Sequence, residues 1–217
     1  MSDAPSPRSS VRRLPERASY DRDLIEAILD EALTCHVGFV HDGSPVVIPT
    51  IHARIGDTLY FHGSSASRML RGMRSGDEIS VNVTLLDGLV LARSAFHHSM
   101  NYRSVVVFGS PRVVTDDDEK REALRAITEH VVPGRWDDCR PMTEREFRVT
   151  LVASLPLDEV SAKVREGGPG DDEEDYDLPI WAGVIPLSVA AGEPIGDPLL
   201  RVDVPIPSYA SKYERPV

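Results

Sequence analysis

The stretch "EISVNVTLL" (residues 78–86) constrains the fold of this chain more than any other segment. Apolar and polar side chains alternate from Glu78 to Leu85, which is typical of a β-strand with one apolar face. The segment therefore predicts a strand rather than a helix. Its apolar face consists of Ile79, Val81, Val83 and Leu85, and its polar face of Ser80, Asn82 and Thr84.

Short apolar runs separated by turn residues occur on both sides of this strand. Asp42-Gly43-Ser44-Pro45 lies between two such runs and predicts a β-hairpin. Tight turns are predicted at 56–57 and 87–88, and Gly109 and Pro111 predict a bend in "YRSVVVFGSPRVV". Two later segments are also predicted as strands: "FRVTLVASLPL" at 147–157, as the last long strand, and "IWAGVIPL" at 180–187, as an edge segment.

A few helices flank these strands. Apolar residues at helical spacing predict a helix over 21–33, and "DDEKREALRAITEHV" predicts another over 117–131. Short strands divided by Gly, Asp and Pro turns are typical of a small antiparallel barrel. We therefore predict a mainly β fold with flanking helices and a six-stranded antiparallel barrel. So narrow a barrel holds a ligand against its outside or across a subunit seam rather than in its interior.

Charge and composition limit the possible partners. The chain has 217 residues and a net charge of −11, from 35 acidic and 24 Lys or Arg residues. This balance argues against nucleic acid and membrane partners, so an anionic ligand requires a small basic pocket. Cys35 and Cys139 lack metal or redox spacing, which predicts free thiols and a cytoplasmic protein.

Composition also predicts the division of the chain. Residues 1–19 are predicted to be a disordered or loosely attached N-terminal arm, 20–190 the folded domain, and 191–217 a Pro-rich tail. The acidic run 171–177 is predicted to be a solvated loop. A lid over the ligand, anchored by Arg165, is the alternative for this run.

The seven histidines do not predict a metal site. His97 and His98 are adjacent, which sends their side chains in different directions, and no carboxylate or thiol is spaced to complete a ligand set. GxSxG, GxGxxG and GxxxxGK[ST] motifs are absent from the sequence.

The segment "YFHGSSASRMLRGMR" (residues 60–74) leads from a strand through small hydroxyl residues into a helix with arginines at i, i+3 and i+6. A helix N-terminus of this kind suits a phosphate group, because free N–H groups and a partial positive charge meet there. The alternative is a polar N-cap followed by a solvated basic face. A second dense group of polar and aromatic residues occupies 93–103.

Together, "HGS-x-x-SR" and "NYRSVVVFG" resemble the FMN-binding split-barrel family of pyridoxamine 5′-phosphate oxidase, over residues 20–187. The branch it most resembles includes flavin-binding proteins and nitroimidazole-resistance reductases. The resemblance implies an FMN-binding homodimer with a split barrel, and an oxidoreductase that reduces or oxidises a small-molecule substrate at the flavin N5. True pyridoxamine-phosphate oxidase activity is not expected, because Met69 and Ser104 replace the family's Lys and Gln.

The resemblance also implies which residues contact the cofactor. The strand end would run along the flavin ring, the "HGS" segment would approach the ring or ribityl chain, and "SR" would hold the phosphate. "MNYRS" would face the flavin from the partner chain. These residues are Pro49, Thr50, Ile51, His52, His62, Gly63, Ser64, Ser67, Arg68, Met69, Met100, Asn101, Tyr102, Arg103 and Ser104.

His97 and His98 are candidate proton donors, since imidazole titrates near neutral pH, although a structural role is the alternative for both. Two other functions remain open. The protein could bind flavin without turnover, as a store or sensor. It could also hold haem or a deazaflavin instead, and haem would require an axial His over a wide apolar pocket.

Overall fold

The computed structural model of the chain describes residues 4–214, which contain eleven strands and five α-helices. The strands are β1 Ala18–Ser19, β2 Cys35–His41, β3 Ser44–Thr50, β4 Ala53–Ile55, β5 Thr58–Ser64, β6 Ile79–Leu91, β7 Ser99–Gly109, β8 Arg112–Val113, β9 Thr150–Pro156, β10 Glu159–Arg165 and β11 Gly183–Pro186. The helices are α1 Arg22–Glu31, α2 Arg68–Ser75, α3 Asp117–Val131, α4 Glu144–Val149 and α5 Ser208–Ser211.

The strands form two antiparallel sheets. Sheet one has the order β1-β10-β7-β6-β2-β3, with β11 paired to β6, and sheet two has the order β4-β5-β9-β8. The mainly β, antiparallel fold with flanking helices is confirmed. The predicted hairpin is confirmed as β2–β3, with Asp42 and Gly43 at positive φ angles of 50° and 74°, as a two-residue turn of this type requires.

The main apolar core joins both sheets to helices α1 and α2. The predicted apolar face of "EISVNVTLL" lies entirely within it, since Ile79, Val81, Val83 and Leu85 are all buried. Each such side chain contributes about 1.5–3 kcal/mol when it leaves water. Other buried residues of this core are Ile25, Ile28 and Leu29 of α1, Leu59 and Phe61 of β5, and Leu155 of β9.

A second apolar cluster lies on the opposite face of sheet two, under helix α3. Tyr60 and Val152 of the sheet pack in this cluster with Ala123, Leu124 and Ile127 of the helix. Sheet two is therefore covered on both faces, and successive residues of β5 point into different cores.

Two histidines satisfy carbonyl groups at the C-terminal end of α1. The Nε2 of His52 lies 3.0 Å from the Leu29 carbonyl oxygen, and that of His130 lies 2.8 Å from the Ala32 carbonyl oxygen. Because a carbonyl oxygen only accepts, both imidazoles donate from Nε2. Their ring centroids are 5.1 Å apart. His52 is fully buried, and its Nδ1 has no hydrogen-bond partner among the described residues.

The predicted turn at 87–88 is wrong. Strand β6 continues through these residues, and its register against β7 shifts between Leu86 and Gly88, so the extra residue forms a bulge. A Cβ on Gly88 would lie 3.1 Å from the Ile185 carbonyl oxygen. Gly88 therefore permits the close approach of β11 instead of turning the chain.

The start of the predicted strand 147–157 is also wrong, because Phe147 and Val149 belong to the last turn of α4. This helix is fixed by a capping box, in which Thr143 and Glu146 satisfy each other's backbone N–H groups. Strand β10 follows this segment, so 147–157 is not the last long strand.

The described part of the N-terminal segment contacts sheet one. Strand β1 pairs with β10, Ser9 is buried, and the Arg8 guanidinium forms ion pairs with Glu78 and Glu159. The tail beyond Pro186 contains little regular structure until α5.

The burial of His52 predicts an acid-sensitive fold. Burial lowers the pKa of His52 to about 4 from its ordinary value of 6.5, so the unfolded chain takes up this proton at a higher pH than the native state. The corresponding stability is complete above about pH 6.5 and is lost as the pH falls towards about 4. At 1.36 kcal/mol per pKa unit, the loss is about 2 kcal/mol by about pH 5.

Urea unfolding at about pH 7.5 and about pH 5 measures this contribution. In His52→Gln, which keeps a donor for the Leu29 carbonyl but does not titrate, we expect a pH-dependent loss about 2 kcal/mol smaller than in the wild type. His36→Gln, at an exposed position, is the matched control and keeps the wild-type loss. Equal pH dependence in all three proteins would contradict the assignment.

Candidate functional site

The turn from β5 into α2 has the features of a phosphate site. Ser67 is the N-cap of α2, yet its side chain makes no capping hydrogen bond. The backbone N–H of Ala66 bonds instead to the Ser64 hydroxyl at 3.2 Å, and that of Ser67 to the Ser64 carbonyl at 2.9 Å. This arrangement leaves the hydroxyl of Ser67 and the first N–H groups of the helix available to an anion.

Positive charge is concentrated beside this turn. Arg68, Arg71 and Arg74 are exposed on α2, and none of them forms an ion pair with a residue that the structure describes. Gly63, just before the turn, allows α2 to approach closely, because a Cβ there would lie 3.1 Å from the Leu70 side chain. Met69, in contrast, is buried in the main core and points away from the turn.

The strand end predicted to lie along the flavin is at the edge of sheet one. Pro49 and Thr50 end β3, which pairs only with β2 among the described strands, opposite His36 and Cys35. Ile51 and His52 lie beyond it in the link to sheet two. The His52 side chain caps α1 in the interior, so only its backbone is placed to contact a ligand at this edge.

"MNYRS" forms the start of β7, which does not lie beside β3 in its own chain. Strands β6 and β2 separate the two, a distance of about 14 Å at ordinary strand spacing. The Arg103 guanidinium binds Glu31 and Asp87, and the Ser104 hydroxyl donates to the Lys163 carbonyl at 3.2 Å.

The other residues of this segment differ in exposure. Met100 is 52% exposed and Tyr102 is half-buried. Asn101 is buried, accepts a hydrogen bond from Arg165 and donates to the Gly167 carbonyl at 3.1 Å. Arg165 also donates to the Gly167 and Gly168 carbonyls, and so fixes the chain that leads into the acidic run.

The acidic run is held against the segment that carries His97 and His98. Asp171, whose side chain has no exposed surface, accepts from the backbone N–H and the guanidinium of Arg93 at 2.9 and 3.0 Å. His97 Nε2 lies 3.3 Å from Asp172, and His98 Nδ1 lies 3.1 Å from the Ser94 carbonyl oxygen. At Asp171, therefore, this run is a packed element rather than a freely solvated loop.

A cavity of about 880 Å³ opens on the α3 side of sheet two; we call it the His62 cavity. Its floor includes His62, whose Nδ1 is shielded from solvent and has no partner in the described chain. Burial lowers the pKa of His62, so its imidazole is neutral at pH 7. The apolar walls consist of Leu124, Ile127, Trp136, Met142 and Phe147. Charged residues of both signs also line the cavity: Arg121, Arg125, Arg140, Glu122 and Asp137.

Sequence patterns did not predict the His62 cavity. Its walls come from the inner face of α3 and from the irregular segment 136–142, which contact His62 only in the folded chain. The sequence feature that could have indicated this cavity is the pair of large apolar residues, Trp136 and Met142, within an otherwise polar loop.

The described residues, 4–214, lack two further features. No cluster of three or more His, Cys, Asp or Glu in this part of the chain could hold a metal ion. Within the same residues, no helix has the length and apolar character needed to cross a membrane.

Comparison with known proteins identifies the family of this chain. The family described as pyridoxamine 5′-phosphate oxidase matches residues 21–164. The chain belongs to this family. No curated protein matches the chain.

Solved structures give a finer view of this member of the oxidase family. It is similar to the flavocytochrome Anf3 from Azotobacter vinelandii, with 43% identity, coverage of 98% of this chain and 99% of that one, and a TM-score of 0.93. It is similar to a FAD and haem binding protein from Mycobacterium smegmatis, with 39% identity, coverage of 89% and 95%, and a TM-score of 0.85. A protein described as a candidate for 5-nitroimidazole antibiotic resistance, from Bacteroides thetaiotaomicron VPI-5482, is 26% identical, with coverage of 68% and 86% and a TM-score of 0.57.

Proposed function

We propose that this protein is a redox protein that binds both a flavin nucleotide and haem. The observation that carries the proposal is the 43% identity to a flavocytochrome along almost the full length of both chains. The Mycobacterium smegmatis relative is named for FAD and haem, so FAD takes precedence over the FMN predicted from the sequence. When bound, flavin supplies hydride and electron transfer and haem supplies one-electron chemistry.

The phosphate end of the flavin is assigned to Ser67 and Arg68. This turn fits a phosphate because the Ser67 hydroxyl is not used for capping and the neighbouring arginines have no carboxylate partner in the described chain. A guanidinium makes charge-assisted hydrogen bonds to phosphate, and the start of α2 adds a partial positive charge. In a chain of net charge −11, such a local concentration of cations is needed to hold an anion.

Haem is assigned to the His62 cavity. A neutral imidazole that lines an apolar cavity suits an axial ligand, and haem-binding proteins use histidine in this role. The apolar walls suit the porphyrin, and Arg121, which forms no ion pair with a described residue, suits a propionate. This combination matches the axial His over a wide apolar pocket that the sequence analysis required of a haem protein.

The active form is proposed to be a homodimer. Strand β7 lies three strand spacings from β3 in its own chain, so "MNYRS" reaches a flavin at the β3 edge only from a second copy. The tail segment 187–206 supports this arrangement, because it contains eight apolar side chains that are 37% exposed or more. An apolar stretch of this kind usually marks an interface. Its exposed apolar residues are Leu187, Val189, Ile195, Leu199, Leu200, Val202, Val204 and Ile206.

Arg68→Gln tests the flavin assignment. A lost charge-assisted hydrogen bond costs about 1.5–3 kcal/mol, so we expect flavin affinity to fall at least roughly tenfold. Fluorescence titration of the apoprotein measures this, with heat release and chromatography to identify the native flavin. Arg145→Gln, an exposed arginine of α4, is the control with the same charge change. Undiminished flavin affinity in Arg68→Gln would remove the phosphate assignment.

His62→Leu tests the haem assignment. Because the variant lacks the axial nitrogen but keeps the apolar volume, we expect the Soret band to disappear while the flavin spectrum remains. His36→Leu, at an exposed position of β2, keeps both bands. A Soret band of wild-type intensity and position in His62→Leu would place the haem elsewhere.

Sedimentation velocity tests the dimer. We expect the wild-type protein to sediment with twice the mass of the chain, and the double variant Val202→Asp/Val204→Asp to dissociate, because burying two carboxylates without partners is unfavourable. Val149→Asp changes an exposed valine of α4 and serves as the control. A monomeric wild-type protein that retains its flavin would refute the shared site.

A further inference from the structure

A second cavity, of about 600 Å³, lies between the C-terminal half of α2, strand β8 and the start of β9. We call it the basic cavity. Four cationic side chains line it, those of Arg74, Arg112, Lys120 and Arg148, and its lining within the described chain includes no Asp or Glu.

This charge pattern is unusual for the chain as a whole. Acidic residues outnumber Lys and Arg by 35 to 24, yet the basic cavity gathers four cations around one volume. Like charges at such proximity repel each other unless an anion lies between them. The local field therefore favours a ligand of opposite charge.

Two of the four cationic side chains already bind other groups of the protein, and two do not. Arg112 forms an ion pair with Glu119 at 2.6 Å, and the Lys120 ammonium donates to the Phe147 carbonyl at 2.7 Å. Arg74 and Arg148, both exposed, form no ion pair with a described residue. Burial also lowers the pKa of Lys120, a penalty that a bound anion would offset.

The hydroxyl groups in the basic cavity, and its place beside the β5–α2 turn, indicate which kind of anion it binds. Ser65 and Thr115 line the basic cavity, and Ser65 lies two residues before Ser67, the proposed cradle of the flavin phosphate. Ser65 thus connects the basic cavity to the turn that is proposed to hold the flavin phosphate. FMN carries a single phosphate group, whereas a dinucleotide carries a second phosphate and an adenosine, which a cavity of this size accommodates.

We propose that the basic cavity binds a phosphate group of the adenylate half of a dinucleotide, with Arg74 and Arg148 as its principal contacts. The inference rests on the proposed flavin function. Two dinucleotides contain such an adenylate phosphate: FAD itself, and a nicotinamide dinucleotide that would donate electrons to the flavin. Titrations with separate ligands, described below, distinguish the two.

The test is the double variant Arg74→Gln/Arg148→Gln, whose side chains are exposed, so that folding is retained. Calorimetric titration of the apoprotein with FAD, FMN, ADP and NADPH gives four affinities for each protein. Arg12→Gln/Arg13→Gln, two exposed arginines outside the cavity, is the matched control for the change in net charge. Losing the contacts of two guanidinium groups is expected to weaken ligand binding roughly tenfold or more.

If the ligand is FAD, the double variant binds FAD and ADP more weakly and FMN with wild-type affinity. If it is the electron donor, NADPH and ADP bind more weakly, while FAD and FMN are unaffected. Wild-type affinity for all four, or an equal loss for FAD and FMN, overturns the proposal. If no flavin binds to the wild-type protein but ADP binding is lost in the double variant, the flavin function fails and the phosphate site stands.

Discussion

The burial of sheet two on both faces is the constraint on which the rest of the structure depends. Along β5, Phe61 points into the core shared with sheet one, and His62 points towards α3. A strand fixed by two cores has little freedom to move, since each side chain that left its core would lose about 1.5–3 kcal/mol. The same strand ends at Ser64, where the proposed phosphate turn into α2 begins. One element thus positions both the candidate haem ligand and the proposed flavin cradle.

The arginines of this acidic protein fall into two groups, those that are paired with carboxylates and those that are not. Several arginines are neutralised within the fold: Arg103 by Glu31 and Asp87, and Arg93 by Asp171. Those of α2 are not paired within the described chain, and they border both the phosphate turn and the basic cavity. Cations that the fold leaves without carboxylate partners are the ones available to an anionic cofactor. The chemistry proposed for the protein follows from this division.

Sequence reasoning succeeded where local signals dominate. The alternation of "EISVNVTLL", the Asp42-Gly43 turn and the periodicity of α3 each follow from the geometry of single elements, and the structure contains all three. It failed where a distant segment decides the local conformation. Gly88 indicated a turn by itself, but β7 and β11 pair across it and make it a bulge. His52, which the resemblance placed among the flavin contacts, has its side chain buried as a cap on α1 for the same reason.

The sequence by itself determined the family, the antiparallel β architecture and the position of the turn between β5 and α2 that is proposed to bind phosphate, because these depend on motifs and spacings contained within short segments. Only the tertiary structure decided which side chains share a space. The His62 cavity joins β5 to α3 and a polar loop, and the basic cavity joins α2 to β8 and α4. Both cavities bring together residues that lie up to about ninety positions apart in the sequence. Such proximity is fixed by packing rather than by any local pattern.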